Sequence, residues 1–287
     1  MVATLHTTPA ALHTQAALPL SGAHVLIAED NTVNLEVATF HVEDLGGTFE
    51  TAVNGAQAVQ LAQQQAFDFV LMDCQMPVMD GFDALRAIRV HEAASGAARA
   101  IILAVTAADD AEQRMQCADA GFDGFLAKPF SAEHLIAAMT SARHPQQSEA
   151  RCITSAALKA VDVENKNVPI LDEVALKAFV ADFGDDTAPS LLASFVKLLH
   201  ESHTRFAAAA ATEHTKDLQA IAHKLTGASG TVGAAKLASL SRSIQAQCKR
   251  NEFRWSDDIN AFDLALVRTI AAFEALLGAH ATQPIAT

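Results

Sequence analysis

Four apolar runs in the first half of the chain each end in a polar group that a phosphoryl-transfer pocket needs. His24-Val25-Leu26-Ile27-Ala28 ends in Glu29-Asp30, and Phe67-Asp68-Phe69-Val70-Leu71-Met72 ends in Asp73. Ile101-Ile102-Leu103-Ala104-Val105 ends in Thr106, and Phe125-Leu126-Ala127 ends in Lys128. As strands of an open parallel sheet, these runs would bring their ends together, because ligands bind just beyond the carboxyl ends of such strands. Three carboxylates suit Mg²⁺, which takes near-octahedral oxygen ligands and keeps several waters. Asp30 and Asp73 are the expected direct ligands. Glu29 is expected to act through water or through its field, and the Gln75 backbone carbonyl as a further ligand. Asp73 is also the expected nucleophile, since a carboxylate can accept a phosphoryl group as an acyl phosphate. Lys128 and the metal would spread the transferring charge, while Thr106 would hydrogen-bond one oxygen. A single Asp after a strand is ordinarily a polar loop start; four strand ends with four complementary chemistries are a different matter.

The second half holds one histidine in an unusual setting, within Ala222-His223-Lys224-Leu225-Thr226-Gly227. On a helix, Leu218, Ile221, Ala222 and Leu225 share a core face. His223 then lies about 140° from Leu218, with Gly227 and Gly230 within about 40° of it. Glycine inside a helix costs roughly 1 kcal/mol against alanine. Two of them beside one exposed imidazole suggest a cleared landing area for a partner's cleft. His200 and His203 have the spacing of a metal pair, but no further ligands with zinc-like spacing accompany them. Cys74 reads as a small packing residue, and Trp255 and Phe262 as packing at the end of a helical bundle.

These residues need elements to place them. Strand patterns fall near 24–28, 48–53, 68–73, 100–105 and 123–127. Helical patterns fall near 32–45, 55–65, 81–92, 110–120 and 131–142. Alternation of this kind predicts βαβ crossovers and an α/β doubly wound parallel sheet. Asn31 or Thr32 can cap the first helix, and Ser131 opens the last. After Pro169 the periodicity is helical throughout, near 172–182, 187–210, 215–230, 234–249 and 258–278. That predicts an all-α antiparallel helical bundle, with Asp186 or Thr187 capping its second helix. The expected organisation is a leader over 1–22, an α/β domain over 23–143, a linker over 144–169 with a short helix near 155–162, and a bundle over 170–280. A flexible stretch of roughly 25 residues has an r.m.s. reach of about 25–30 Å, enough for one domain to touch the other's face.

Bulk properties narrow the classes. The chain of 287 residues is 51% hydrophobic and 18% charged, which fits folded domains. Its net charge of −13 argues against a nucleic-acid binder. No Lys or Arg precedes Arg86, which argues against a signal peptide. No run approaches the ~20 apolar residues of a membrane span, so a cytoplasmic location is expected. The four cysteines lack metal-site spacing and read as reduced thiols.

Ile27-Ala28-Glu29-Asp30-Asn31, Met72-Asp73-Cys74-Gln75-Met76-Pro77-Val78-Met79-Asp80-Gly81 and Leu126-Ala127-Lys128-Pro129-Phe130 resemble the receiver domain of two-component response regulators, especially receivers attached to hybrid histidine kinases. The resemblance covers 24–143. It implies a flavodoxin-like sheet of order 2-1-3-4-5, Mg²⁺-dependent phosphorylation at Asp73, a switch coupling Thr106 to Phe125, and a cis Lys128–Pro129 bond. The stretch from Ala222 to Ala234 resembles histidine phosphotransfer (HPt) domains, over about 172–278. It implies a phosphoryl group on Nε2 of His223. The family often has Lys three residues after the histidine; here that place holds Thr226, and Lys224 is the nearest basic residue.

Together the resemblances imply a phosphorelay intermediate, with an upstream histidine kinase as donor and a downstream response-regulator receiver as acceptor. Two alternatives remain. The chain could be a phosphorylation-switched interaction protein with an inert helical domain, or the C-terminal relay portion of a hybrid sensor histidine kinase. No Gly-rich ATP-binding segment is visible, so the chain is not expected to phosphorylate itself from ATP.

Overall fold

The computed structural model describes residues 18–107, 111–143, 168–250 and 257–281. The expected leader up to residue 17, the linker over 144–167 with its short helix, and Trp255 lie outside the described residues. The first domain runs β1 (His24–Ala28), α1 (Thr32–Asp44), β2 (Thr48–Ala52), α2 (Gly55–Gln64), β3 (Phe69–Asp73), α3 (Gly81–Ser95), β4 (Ile101–Ala107), α4 (Ala111–Ala120), β5 (Gly124–Lys128) and α5 (Ala132–Arg143). The sheet order is β2-β1-β3-β4-β5 and every pairing is parallel. Register sets Ala28 beside Met72, Asp73 beside Val105, and Ala107 beside Lys128, so the polar strand ends share one edge.

A parallel strand covered on both faces has no solvent side, so it reads as one unbroken apolar run. All five residues of β3 are buried accordingly. Val25, Ile27, Phe69, Leu71, Leu103 and Val105 pack with Ala38 and Val42 of α1 and Leu135 and Met139 of α5. The alternate residues Leu26, Ala28, Val70, Met72 and Ile102 pack with Ala58 of α2 and Leu85 and Ile88 of α3. Asn31 is the N-cap of α1, its side chain accepting from Val33 N–H. Gly81 opens α3 so close to β3 that a Cβ there would collide with the Asp73 carbonyl oxygen. Lys128–Pro129 is cis, as the resemblance implies.

The second domain consists of α6 (Glu173–Ala211), α7 (Thr215–Thr231), α8 (Ala235–Arg250) and α9 (Asp257–Ala281). Phe195 packs on Phe273 with ring centroids 5.0 Å apart, and Phe206 on Phe262 at 5.2 Å. Leu218, Leu225 and Leu237 are fully buried among them. The two helices expected over 172–182 and 187–210 are present, joined across a kink within the span of α6. The bend falls at Gly184 (φ 72, ψ 167), and neither Asp186 nor Thr187 starts a helix. Only glycine reaches that backbone region without strain, so it takes the turn ahead of any capping side chain. No helix among the described residues is long and apolar enough to cross a membrane.

The bundle rests on α1. Val33 and Val37 belong to the bundle's own core cluster, with Phe40 packed against it. Helix α1 has two apolar sides because it is sandwiched, with Ala38 and Val42 on the sheet and Val33, Val37 and Phe40 on the bundle. Ser194 on α6 donates to Glu36 Oε1 across the same boundary at 3.0 Å.

Candidate active site

The strand ends do converge. Carboxylate oxygens of Glu29, Asp30 and Asp73 lie within 4.8 Å of one another, the one grouping of that kind found among the described residues. Lys128 Nζ donates to Glu29 Oε2 at 2.5 Å and to Asp73 Oδ2 at 2.7 Å. The Gln75 backbone N–H donates to Asp73 Oδ1 at 3.0 Å, which leaves the turn after β3 folded back over the carboxylate. Asn34 Nδ2 donates to Glu29 Oε1 at 3.1 Å.

Burial pushes the Glu29 carboxyl up to about 7, and the Asp73 charge adds to the rise against the pull of Lys128 and Asn34. Asp30 is raised as well, by burial and then by Asp73, with Lys224, His223 and Lys128 opposing. For Lys128, burial disfavours the ammonium, but Asp73 and Glu29 outweigh it and raise its pKa. One ammonium thus faces three carboxylates, two of them held above their ordinary range. The pocket is short of positive charge, and its all-oxygen donor set fits a hard divalent cation. Thr106 is 3% exposed and its Oγ1 has no hydrogen-bond partner. A buried hydroxyl left so costs about 1–3 kcal/mol, and a phosphoryl oxygen would satisfy it. Phe125 is half-buried beside Cys74 and Cys117, with the Arg114 guanidinium 5.9 Å from its ring centroid. Cys74 is packing, as expected: its sulfur lies 3.4 Å from that of Cys117, and the shared hydrogen bond and burial push its pKa up.

His223 departs from expectation in one respect. It is half-buried rather than exposed, with Gln245 against its ring and the first domain packed on the residues around it. Asn31 Nδ2 donates to the Lys224 carbonyl at 2.7 Å, and Thr231 Oγ1 donates to Asn34 Oδ1 at 3.4 Å. A Cβ at Gly227 would come 2.9 Å from Asn34 Nδ2, and one at Gly230 would lie 4.0 Å from Pro129 Cδ. The cleared glycine face is therefore occupied by Asn34 and Pro129 of this chain's own receiver, beside the acidic pocket. His223 and Lys224 both lie near enough to Asp30 to act on it electrostatically.

Sequence reasoning missed Gln245. Its Nε2 points at two oxygens, Ala222 O at 3.4 Å and Thr226 Oγ1 at 2.5 Å. A carbonyl only accepts, so the amide orientation is fixed and Oε1 is the atom 3.1 Å from His223 Nδ1. Nδ1 must then carry the hydrogen, which leaves the Nε2 lone pair free. Thr226 is buried in this network and also donates to Ala222 O at 2.8 Å. It holds Gln245 rather than standing in for a missing Lys. No spacing rule connects positions 223 and 245; only the packing of α7 on α8 does. With the tautomer no longer fixed, Gln245→Leu is expected to slow phosphoryl arrival at His223 about tenfold while acceptance at Asp73 stays unchanged, measured by quenched-flow labelling. His200 and His203 each meet a single carboxylate, Glu274 at 2.9 Å and Asp263 at 3.0 Å.

Comparison with known proteins finds matches to both domains. Residues 25–140 match the sequence model of the response regulator receiver domain, and residues 190–279 that of the Hpt domain. The chain is similar to the sensor protein GacS of Pseudomonas syringae pv. syringae, 31% identical over 271 residues, covering 91% of this chain and 28% of that protein. It is also similar to the aerobic respiration control sensor protein ArcB of Escherichia coli K12, 26% identical over 229 residues, covering 80% and 28%. The chain thus spans under a third of the length of these curated relatives. Among solved structures, the receiver domain of a sensor histidine kinase from Pseudomonas aeruginosa PAO1 is 37% identical, covering 40% of this chain and 92% of that one, with a TM-score of 0.36.

Proposed function

The chain belongs to the phosphorelay proteins, a response regulator receiver domain followed by an Hpt domain, and from that premise we propose that Asp73 and His223 pass one phosphoryl group between them. The observation that carries this reading is the placement of α7 over the pocket, with Asn31 bound to the Lys224 carbonyl and Asn34 joining Glu29 to Thr231.

In the forward step, the Asp73 carboxylate attacks the phosphorus of a donor phosphohistidine, and the P–N bond breaks. The product is an acyl phosphate. In the second step, the Nε2 lone pair of His223 attacks that phosphorus, the P–O bond to Asp73 breaks, and the electron pair returns to the carboxylate. Nδ1–H stays on Gln245 throughout, so the phosphoimidazolium forms without a proton leaving the ring. Lys128 holds Asp73 in place and offsets charge on the phosphoryl oxygens, and Thr106 Oγ1 receives one of them as donor. Asp30, Asp73 and the Gln75 carbonyl would hold Mg²⁺, with Glu29 behind them, and the ion would supply charge neutralisation for the transferring group. Phe125 would follow Thr106 as the switch between states. The upstream partner would be a histidine kinase and the downstream partner a receiver. Domain limits of 23–143 and 170–280, with 144–169 as linker, complete the reading.

The test uses the intact chain, a radiolabelled small acyl phosphate such as acetyl phosphate, and Mg²⁺. Label should appear first as base-labile acyl phosphate and then as base-stable, acid-labile phosphohistidine, mapping to Asp73 and His223. Label that reaches the acyl phosphate but never a histidine would make the bundle inert and end the proposal.

A further inference from the structure

The Hpt match begins at residue 190, but α6 begins at Glu173. Residues 173–183 therefore form a helical arm ahead of the part that the family describes. Its two ends are fixed differently. At the start, Asp172 caps the arm by accepting from Val174 and Ala175 N–H, while its own N–H donates to the Gly233 carbonyl in the α7–α8 turn at 2.8 Å. At the far end, Gly184 takes a backbone conformation that other residues adopt only under strain, and this sets the arm's angle to the rest of α6.

That angle carries the arm's aromatic side onto the receiver. Phe183 lies 4.9 Å from Phe40 and 5.1 Å from His41, ring centroid to centroid, and Phe179 backs it at 4.7 Å. Asp182 Oδ2 is 3.6 Å from His41 Nε2. His41 is 1% exposed, and burial lowers its pKa against the charges of Asp182 and Asp44. The ring of His41 also lies 5.9 Å from Phe130, two residues beyond Lys128. The arm thus grips α1 and, through His41, the loop that follows the pocket's lysine. An arm that merely closed its own bundle would have no reason to pack Phe183 and set Asp182 against a buried histidine of another domain.

We propose that residues 173–183 are a clamp that binds this chain's own receiver through Phe40 and His41 and so directs His223 to the Asp73 of the same molecule. The inference rests on the phosphotransfer reading above. Two domains on one chain already meet at an effective concentration on the order of mM. The clamp adds orientation, which is where positioning has its largest effect on rate. It also makes partners mutually exclusive: while the arm grips α1, both Asp73 and His223 are covered, so a receiver on another protein reaches His223 only after the arm lets go.

The experiment measures the first-order appearance of phosphohistidine in the full chain, charged at Asp73 with radiolabelled acetyl phosphate and Mg²⁺, over a range of chain concentrations. Wild type should transfer at a rate independent of concentration. Phe183→Ala and Asp182→Lys should each slow transfer about tenfold or more, still independent of concentration well below the mM range because the linker keeps the domains together, with acceptance at Asp73 unchanged. Asp182 is partly exposed, so its variant keeps the fold if Phe183→Ala does not. A wild-type rate in Asp182→Lys would overturn the clamp and leave the phosphotransfer reading standing, as would a concentration-dependent wild type. Absence of any phosphohistidine in wild type would overturn both.

Discussion

An Asp73→Asn chain is expected to carry no phosphoryl group at Asp73 or His223, and yet to melt at or above the wild-type temperature when no divalent cation is present. The amide cannot form an acyl phosphate, and His223 has no acid or metal ligand of its own to draw a group from a small donor. The stability half follows from charge. Fully ionised, Glu29, Asp30 and Asp73 against Lys128 leave two negative charges uncompensated; the substitution leaves one. Asp73 is among the causes that raise both Glu29 and Asp30, so its loss relaxes both. Lys128 keeps Glu29 as partner, and the new amide oxygen can still accept from it. Mg²⁺ should then reverse the order. A cation at a hundred times its Kd stabilises wild type by about 2.7 kcal/mol, and the variant should lose most of that gain. Thermal melts with and without Mg²⁺, beside labelling, check both halves. Label on His223 in the variant would mean that the donor bypasses the receiver.

This trade between charge and stability also marks what the sequence makes legible. The pocket is readable because buried parallel strands are uninterrupted apolar runs, so the polar residue ending each run stands out. Asn31 is readable as a cap because its chemistry acts within two residues. Gly184 is not, because Asp186 and Thr187 offer competing cap signals and only the built backbone shows that glycine takes the turn. Gln245, Asn34 and the covered state of His223 are contacts across helices or domains. The Asn31 to Lys224 bond spans 193 residues, and no local period encodes it. One signal was present: Val33, Val37 and Phe40 add a second apolar side to α1 beyond the one its sheet can cover. An apolar helix surface on a receiver whose sheet is already covered asks for a second partner.

Lys128→Met should be the most damaging single change in the pocket, with a cost that depends on pH in a definite direction. The ammonium lies between two carboxylates that are almost wholly buried. Removing one side of such a group typically costs about 3–5 kcal/mol, because the charges left behind have neither water nor partner. Protonation of Glu29 is the available relief. Its folded-state pKa of about 7 already exceeds the ordinary 4.5, and Lys128 is the leading influence holding it down, so the substitution drives it higher. A carboxyl whose folded pKa is raised contributes stability that is complete below the unfolded value and is lost as pH rises through the folded one. The variant should therefore lie nearest wild type at about pH 5 and fall furthest behind above pH 7. Mg²⁺ should recover part of the melting temperature by supplying charge. It should not recover the reaction: without an ammonium at the transferring oxygens, acceptance at Asp73 should remain down by about 10²–10³-fold. Lys128→Arg separates charge from reach, since a planar guanidinium cannot replace a compact ammonium between two carboxylates 2.5 and 2.7 Å away. It should regain stability near neutral pH while transferring slowly. Equal destabilisation of Lys128→Met at both ends of the pH range would mean that Glu29 does not titrate with the pocket, and the electrostatic account of why this site takes a cation would fail.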